Sequence, residues 1–101
     1  MVTVIASIRL ATGQRKLFLD ILNANVPTVR QEEGCLEYFP AVDVEAGLSS
    51  QILDENMVTI VEKWQSLAAL TAHLAAPHML AYREKVKNLV EEISLKVLQE
   101  A

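Results

Sequence analysis

Residues 2–11, VTVIASIRLA, alternate Val2, Val4, Ala6, Ile8 and Leu10 against Thr3, Ile5, Ser7, Arg9 and Ala11. A period of two among so many β-branched residues predicts a strand. Its first set is wholly apolar. The second is mixed, with Arg9 as its only charge. Whatever this chain builds must bury the first face completely and largely cover the second.

The next segments set out what is available to do so. Thr12 is the predicted N-cap of a helix over 14–32, in which Phe18, Ile21, Leu22, Val26 and Val29 recur at helical spacing. Pro27 should bend this helix rather than end it, because the stripe continues to Val29, and Gly34 should stop it. CLEYFPAVDV, 35–44, alternates again as a second strand, with Pro40 marking an edge or a bulge. A polar stretch to Asn56 reads as a long hairpin loop, and MVTIVEKW, 57–64, as the third strand with Val58, Ile60, Glu62 and Trp64 on one face. Ser66 should cap a short helix carrying Leu67, Leu70 and Leu74, which ends before Pro77. Pro77 then suits the first position of another helix, striped by Met79, Tyr82, Val86, Leu89 and Ile93, with Glu84, Lys87, Glu91 and Glu92 towards water. Residues 94–99 form a fourth strand.

This order, β-α-β-β-α(α)-β, is an α+β ferredoxin-like arrangement: one four-stranded antiparallel sheet with its helices on one face. Helices then cover only one side, although the first and third strands carry uncharged residues on both. A second copy of the same sheet is the simplest cover, so a homodimer is expected. The 101 residues make one domain, 1–101, and their 51% hydrophobic content exceeds what so small a monomer readily hides.

A net charge of −4 without any Lys/Arg cluster argues against nucleic acid as a partner. The opening MVTVIASIRLA has no basic leader, and its apolar run breaks at Arg9; neither a signal peptide nor a membrane span is expected, and the reading is cytoplasmic. Cys35, the single cysteine, excludes a disulfide or a cysteine-based zinc site within one chain.

EEGCLEY at 32–38, VEKWQSLAALTAHLAAPHM at 61–79 and the opening VIASIRLATGQ resemble the antibiotic biosynthesis monooxygenase domain, a family of small dimeric α+β barrels that includes quinol monooxygenases. The resemblance spans about residues 3–98. It implies a homodimer with an apolar cleft between sheet and helices in each subunit. It also implies oxygenation of a small aromatic or quinol-type substrate by O2 with no flavin, haem or metal supplied by the protein. Such a site must exclude water, hold a ring flat and offer a base to a hydroxyl.

His73 lies beside Leu74 and three residues after Leu70, at the border of the short helix's apolar face, and matches the family's AHL; it is the candidate base, against a surface histidine as the plain alternative. His78, just after Pro77, suits a capping turn. The two histidines are five apart across a proline, which is not the spacing of paired helical metal ligands, so no metal site is expected. Trp64 is either a wall of the cleft or a core residue at the strand-to-helix corner. Glu62 shares its face, and a buried carboxylate would need Arg9 or Arg83 as partner. Tyr38 and Arg83 are further cleft residues. Ser7 occupies the first-strand position where haem-degrading relatives carry asparagine, and Arg83 the place of their haem-binding histidine, which disfavours haem degradation. Two other functions remain open: an isomerase of a small phosphorylated sugar-like signalling molecule, and a non-catalytic dimeric binding module.

Overall fold

A computed structural model describes all of residues 1–101. The elements follow in the order β1 (Val2–Leu10), α1 (Arg15–Arg30), β2 (Cys35–Ala41), β3 (Met57–Trp64), α2 (Leu67–Ala75), α3 (Pro77–Val86) and β4 (Val90–Leu98). The strands form one antiparallel sheet ordered β2-β3-β1-β4, the ferredoxin-like topology expected. The molecule measures 37 × 35 × 20 Å, a slab two layers thick. None of its helices is long and apolar enough to cross a membrane.

The period of two in β1 is realised in full. Val2, Val4, Ala6, Ile8 and Leu10 are buried against Phe18, Leu22, Val26 and Val29 of α1 and against Met79, Tyr82 and Val86 of α3. Pro27 sits inside α1, which runs through it to Arg30. Ser66 caps α2, its Oγ accepting from the Ala69 N–H at 3.1 Å, and Pro77 occupies the first turn of α3.

Several local expectations are corrected. Thr12 caps nothing; the N-cap is Gln14, without a side-chain bond, and the turn closes through the Gln14 N–H on the Ala11 carbonyl at 3.0 Å. β2 stops at Ala41 rather than 44, and its irregularity falls between Cys35 and Glu37 rather than at Pro40, although β2 is an edge strand as the proline implied. In α2 the buried side chains are Leu70 and His73, whereas Leu67 and Leu74 are exposed. α3 ends at Val86, so Glu91, Glu92 and Ile93 lie in β4, which starts at Val90 instead of 94.

The outer face of the sheet has no cover. Phe39, Val61 and Ile5 stand in register across β2, β3 and β1, beside a row of Ala41, Thr59, Ser7 and Ser94. On the inner face the helices stop short of β4: Ile93, Leu95 and Val97, paired with Ile8, Ala6 and Val4, remain about half exposed. That uncovered strip is where the cavity opens.

Candidate active site

Between the inner sheet face and α2–α3 lies a cavity of about 440 Å³, within the range of small-molecule sites. Ala6, Ile8, Ile60 and Glu62 make its floor, where the small Ala6 leaves room that a larger residue would fill. Tyr38, His73, Met79, Tyr82 and Val86 form the walls, and Ile93 and Leu95 of β4 lie at the unroofed edge.

His73 is the polar centre of this cavity, only 2% exposed and held on three sides. Trp64 stacks on its ring, with centroids 4.6 Å apart and planes 32° from parallel, and Tyr38 meets it edge-on at 5.6 Å. The third contact is Glu32, whose Oε2 lies 2.6 Å from His73 Nδ1. With Nδ1–H donating to the carboxylate, the lone pair of the neutral ring sits on Nε2. His78 Nε2 is the single buried side-chain polar atom without a hydrogen-bond partner, so the unbonded Nε2 of His73 is not sealed, and the His73 side chain is among those lining the cavity.

The backbone explains why these groups meet. Gly34 has φ +84°, and a Cβ there would stand 2.6 Å from Ala69 Cβ; with no side chain at 34, α2 seats directly on the turn after α1, and the Gln65 N–H bonds the Gly34 carbonyl at 2.8 Å. This close approach carries Glu32 to the side of His73. Pro77 holds Ala76 extended (φ −63°, ψ 139°), which breaks the helical path between the two histidines. His73 and His78 therefore flank one carboxylate, with His78 Nε2 3.5 Å from Glu32 Oε2.

Burial sets the protonation states. Desolvation lowers the pKa of His73, against the hydrogen bond and charge of Glu32, which raise it, and so favours the neutral imidazole. Desolvation raises Glu62, although the Trp64 indole N–H donates to its Oε1 at 2.9 Å and favours the anion. Tyr38 and Tyr82 are both pushed far above the ordinary phenol value by burial, so they stay protonated as hydrogen-bond donors. For His73, desolvation thus favours the form that can accept a proton.

The structure brings His73, Glu62, Tyr38 and Arg83 to one cavity and excludes two other candidates. Trp64 does not line it; fully buried, it stands behind His73 and braces both His73 and Glu62. Ser7 lies on the outer sheet face, in a shallow groove with Arg9, Met57, Glu92 and Ser94, because odd-numbered positions of β1 point away from the helices. Neither expected arginine pairs with Glu62: Arg9 binds Asp54 at 2.6 Å and Arg83 donates to the Leu74 carbonyl at 2.7 Å. His78 caps no helix, and its Nδ1 instead meets Asn25 Oδ1 of α1 at 3.2 Å. Glu32 went unrecognised because it reads as one of two adjacent carboxylates at a helix end; the glycine two residues on was its only signal. No three His, Cys, Asp or Glu side chains are arranged to hold a metal ion.

Comparison with known proteins supplies a context for this geometry. The family model described as antibiotic biosynthesis monooxygenase matches residues 1–85. A curated relative from Escherichia coli (strain K12), named "Probable quinol monooxygenase YgiN", is 48% identical over 101 residues, covering 98% of this chain and 97% of the relative. Among solved structures, PA3566 from Pseudomonas aeruginosa superposes with a TM-score of 0.83 at 27% identity, covering 99% of this chain and 93% of that one. Rv0793 from Mycobacterium tuberculosis does so with a TM-score of 0.82 at 27% identity, covering 99% and 94%.

Proposed function

We propose that this chain, which belongs to the antibiotic biosynthesis monooxygenase family, oxygenates a small aromatic quinol-type substrate with O2 and no bound cofactor. The observation that carries the reading is His73: a buried imidazole, braced by Trp64 and oriented by Glu32, with Nε2 free on an apolar cavity. Nε2 takes the proton of a ring hydroxyl, and the resulting anion is electron-rich enough to react with oxygen directly. A quinol and O2 together contain the atoms and electrons of a hydroxyquinone and one water, so no external reductant is required. Glu62, whose carboxyl pKa burial raises, and the hydroxyls of Tyr38 and Tyr82 are further hydrogen-bonding groups on the cavity for the ring oxygens.

Eleven of the fifteen lining residues are hydrophobic, which suits a flat ring and opposes a phosphorylated sugar, whose many hydroxyls would be left unpaired there. The same reading takes the protein as a homodimer through the uncovered outer sheet face. Oxygen uptake with a panel of quinols tests it. Turnover should fall about 10²- to 10⁴-fold in His73→Ala, the span of a positioned acid–base group. Uptake equal in wild type and His73→Ala would refute it.

A further inference from the structure

The proton that His73 accepts must be held away from the substrate anion while oxygen reacts, and must return when water is formed. The cavity is a poor exit, being apolar and filled by substrate when the transfer occurs. Behind His73, away from the substrate, polar atoms run in the opposite direction. Glu32 Oε2 is 2.6 Å from His73 Nδ1 and 3.5 Å from His78 Nε2, and His78 Nδ1 is 3.2 Å from Asn25 Oδ1. His78 and Asn25 both line a second, smaller cavity of about 160 Å³ between α1 and α3, where the His78 side chain is 24% exposed.

The hydrogen-bond accounting at His78 gives this line a direction. Asn25 Nδ2 donates to Met79 Sδ at 3.4 Å, which turns its Oδ1 to His78, so Nδ1 of His78 is the donor. In the neutral ring Nε2 is then an acceptor, sealed from solvent and 3.5 Å from another acceptor, the Glu32 carboxylate. A buried polar atom without a partner carries a cost that calls for a reason. One proton placed between Nε2 and Oε2 removes the conflict, and a contraction of about 0.7 Å would make it a charge-assisted bond of about 2.8 Å.

We propose that Glu32 and His78 form a proton route that takes the proton accepted by His73 from the cavity to the groove between α1 and α3. The proton arrives at His73 Nε2. The Nδ1 proton passes to Glu32 Oε2, the carboxyl passes it to His78 Nε2, and the Nδ1 proton of His78 is released to water in the groove. Each group gains and loses one proton, and no electrons move; the reverse transfer, from groove water through His78 and Glu32 to His73, delivers the Nε2 proton to the oxygen that leaves as water and restores both resting tautomers. Glu32 and His78 are thus positioning and relay residues rather than catalytic ones. This rests on the monooxygenase reading for the identity of the proton donor but not for the connection between the two cavities.

The test has one arm that needs no substrate. In the resting protein, proton NMR should show a far-downfield Nδ1–H resonance for His73, lost in Glu32→Gln, while His78→Gln should shift it. Its absence from the wild type, or its indifference to both substitutions, would overturn the proposal whatever the enzyme's activity. In the second arm, with an accepted quinol, His78→Gln should lower kcat about tenfold and Glu32→Gln about 10- to 100-fold, the range for groups that orient a working imidazole, with KM little changed. Added imidazole, small enough to reach the groove, should restore kcat in His78→Gln in proportion to its concentration. A purely structural His78 would give no buffer-dependent rate, and unchanged kcat or absent rescue would overturn the relay. Should no quinol be oxidised while the NMR network is present, the monooxygenase reading fails and the proton connection stands.

Discussion

Trp64→Phe separates a brace from a substrate wall. The indole is fully buried, stacks on His73 and donates its N–H to Glu62 Oε1 at 2.9 Å, yet touches no part of the cavity. Phenylalanine keeps an aromatic face for His73 but removes the donor. An acceptor left buried and unpaired costs about 1–3 kcal/mol. At about 24 cal/mol per Å³ of residual cavity, the void left by the smaller ring adds about 1 kcal/mol. The sum of about 2–4 kcal/mol corresponds to a fall in Tm of about 10–25 °C for a domain of this size. Circular dichroism melting of Trp64→Phe, Glu62→Leu and the double variant measures both parts. In the Glu62→Leu background the second substitution should cost only the cavity share, giving a coupling of about 1–3 kcal/mol. Equal cost in both backgrounds would refute the Trp64–Glu62 bond, and a stable Trp64→Phe with weakened substrate binding would return the indole to the cavity wall.

Glu62→Gln should stabilise the protein in a pH-dependent way. Because burial raises the carboxyl above its ordinary value of 4.5, its favourable contribution is fully present below that value and is lost as pH rises through the raised one, while glutamine loses nothing. The Tm advantage of the variant should therefore be near zero at acid pH and grow towards neutrality; a difference flat with pH would contradict the shift. His73 acts in the opposite sense in both proteins, its lowered value removing stability as pH falls below 6.5, and so largely cancels in the difference. Gly34→Ala should destabilise more than Gly13→Ala: both carry positive φ, worth about 1–2 kcal/mol, but only Gly34 would also drive a Cβ into Ala69. Equal losses in Tm would show that α2 does not seat on the 34 turn. Sedimentation at low micromolar concentration should give a dimer, and a folded species of about 11 kDa, the mass of one chain, would refute assembly through the outer sheet face.

The strands β1 and β3 were legible because one pattern served one environment: every second residue is buried against helices, and no charge but Glu62 interrupts the set. β4 was misread at its start because two periods fit the same residues. Leu89 and Ile93 extend the helical spacing of Met79, Tyr82 and Val86, while Ile93, Leu95 and Val97 alternate as a strand. Pairing with β1 from Thr3 to Leu10 decides for the strand, an interaction with residues some eighty positions away that no local window contains. In α2, the three leucines suggested an apolar stripe, yet the helix rotates Leu67 and Leu74 outward and buries His73 beside Leu70. A histidine counts as polar in such a pattern only until it has a partner.

That partner explains why half of the candidate site could not be read along the chain. His73 and Glu32 are forty-one residues apart, and Glu32 has a conspicuous acidic neighbour, Glu33, which makes the pair look like a solvated helix end. Three separate features converge to join them: a glycine at 34 that admits α2, a proline at 77 that redirects the chain after His73, and a tryptophan at 64 that fixes the ring plane. Each has its own local explanation, as a turn, a helix start and a core aromatic. Together they place one carboxylate between two imidazoles, one facing an apolar cavity and the other a solvent groove. Packing alone would be served as well by apolar residues at 32 and 73 together, since replacing both partners of a buried polar pair by apolar groups of similar shape is often neutral. His73 and Glu32 satisfy one another at 2.6 Å, so the atom that packing leaves unexplained is the sealed His78 Nε2, and the proposed proton route gives that nitrogen a use.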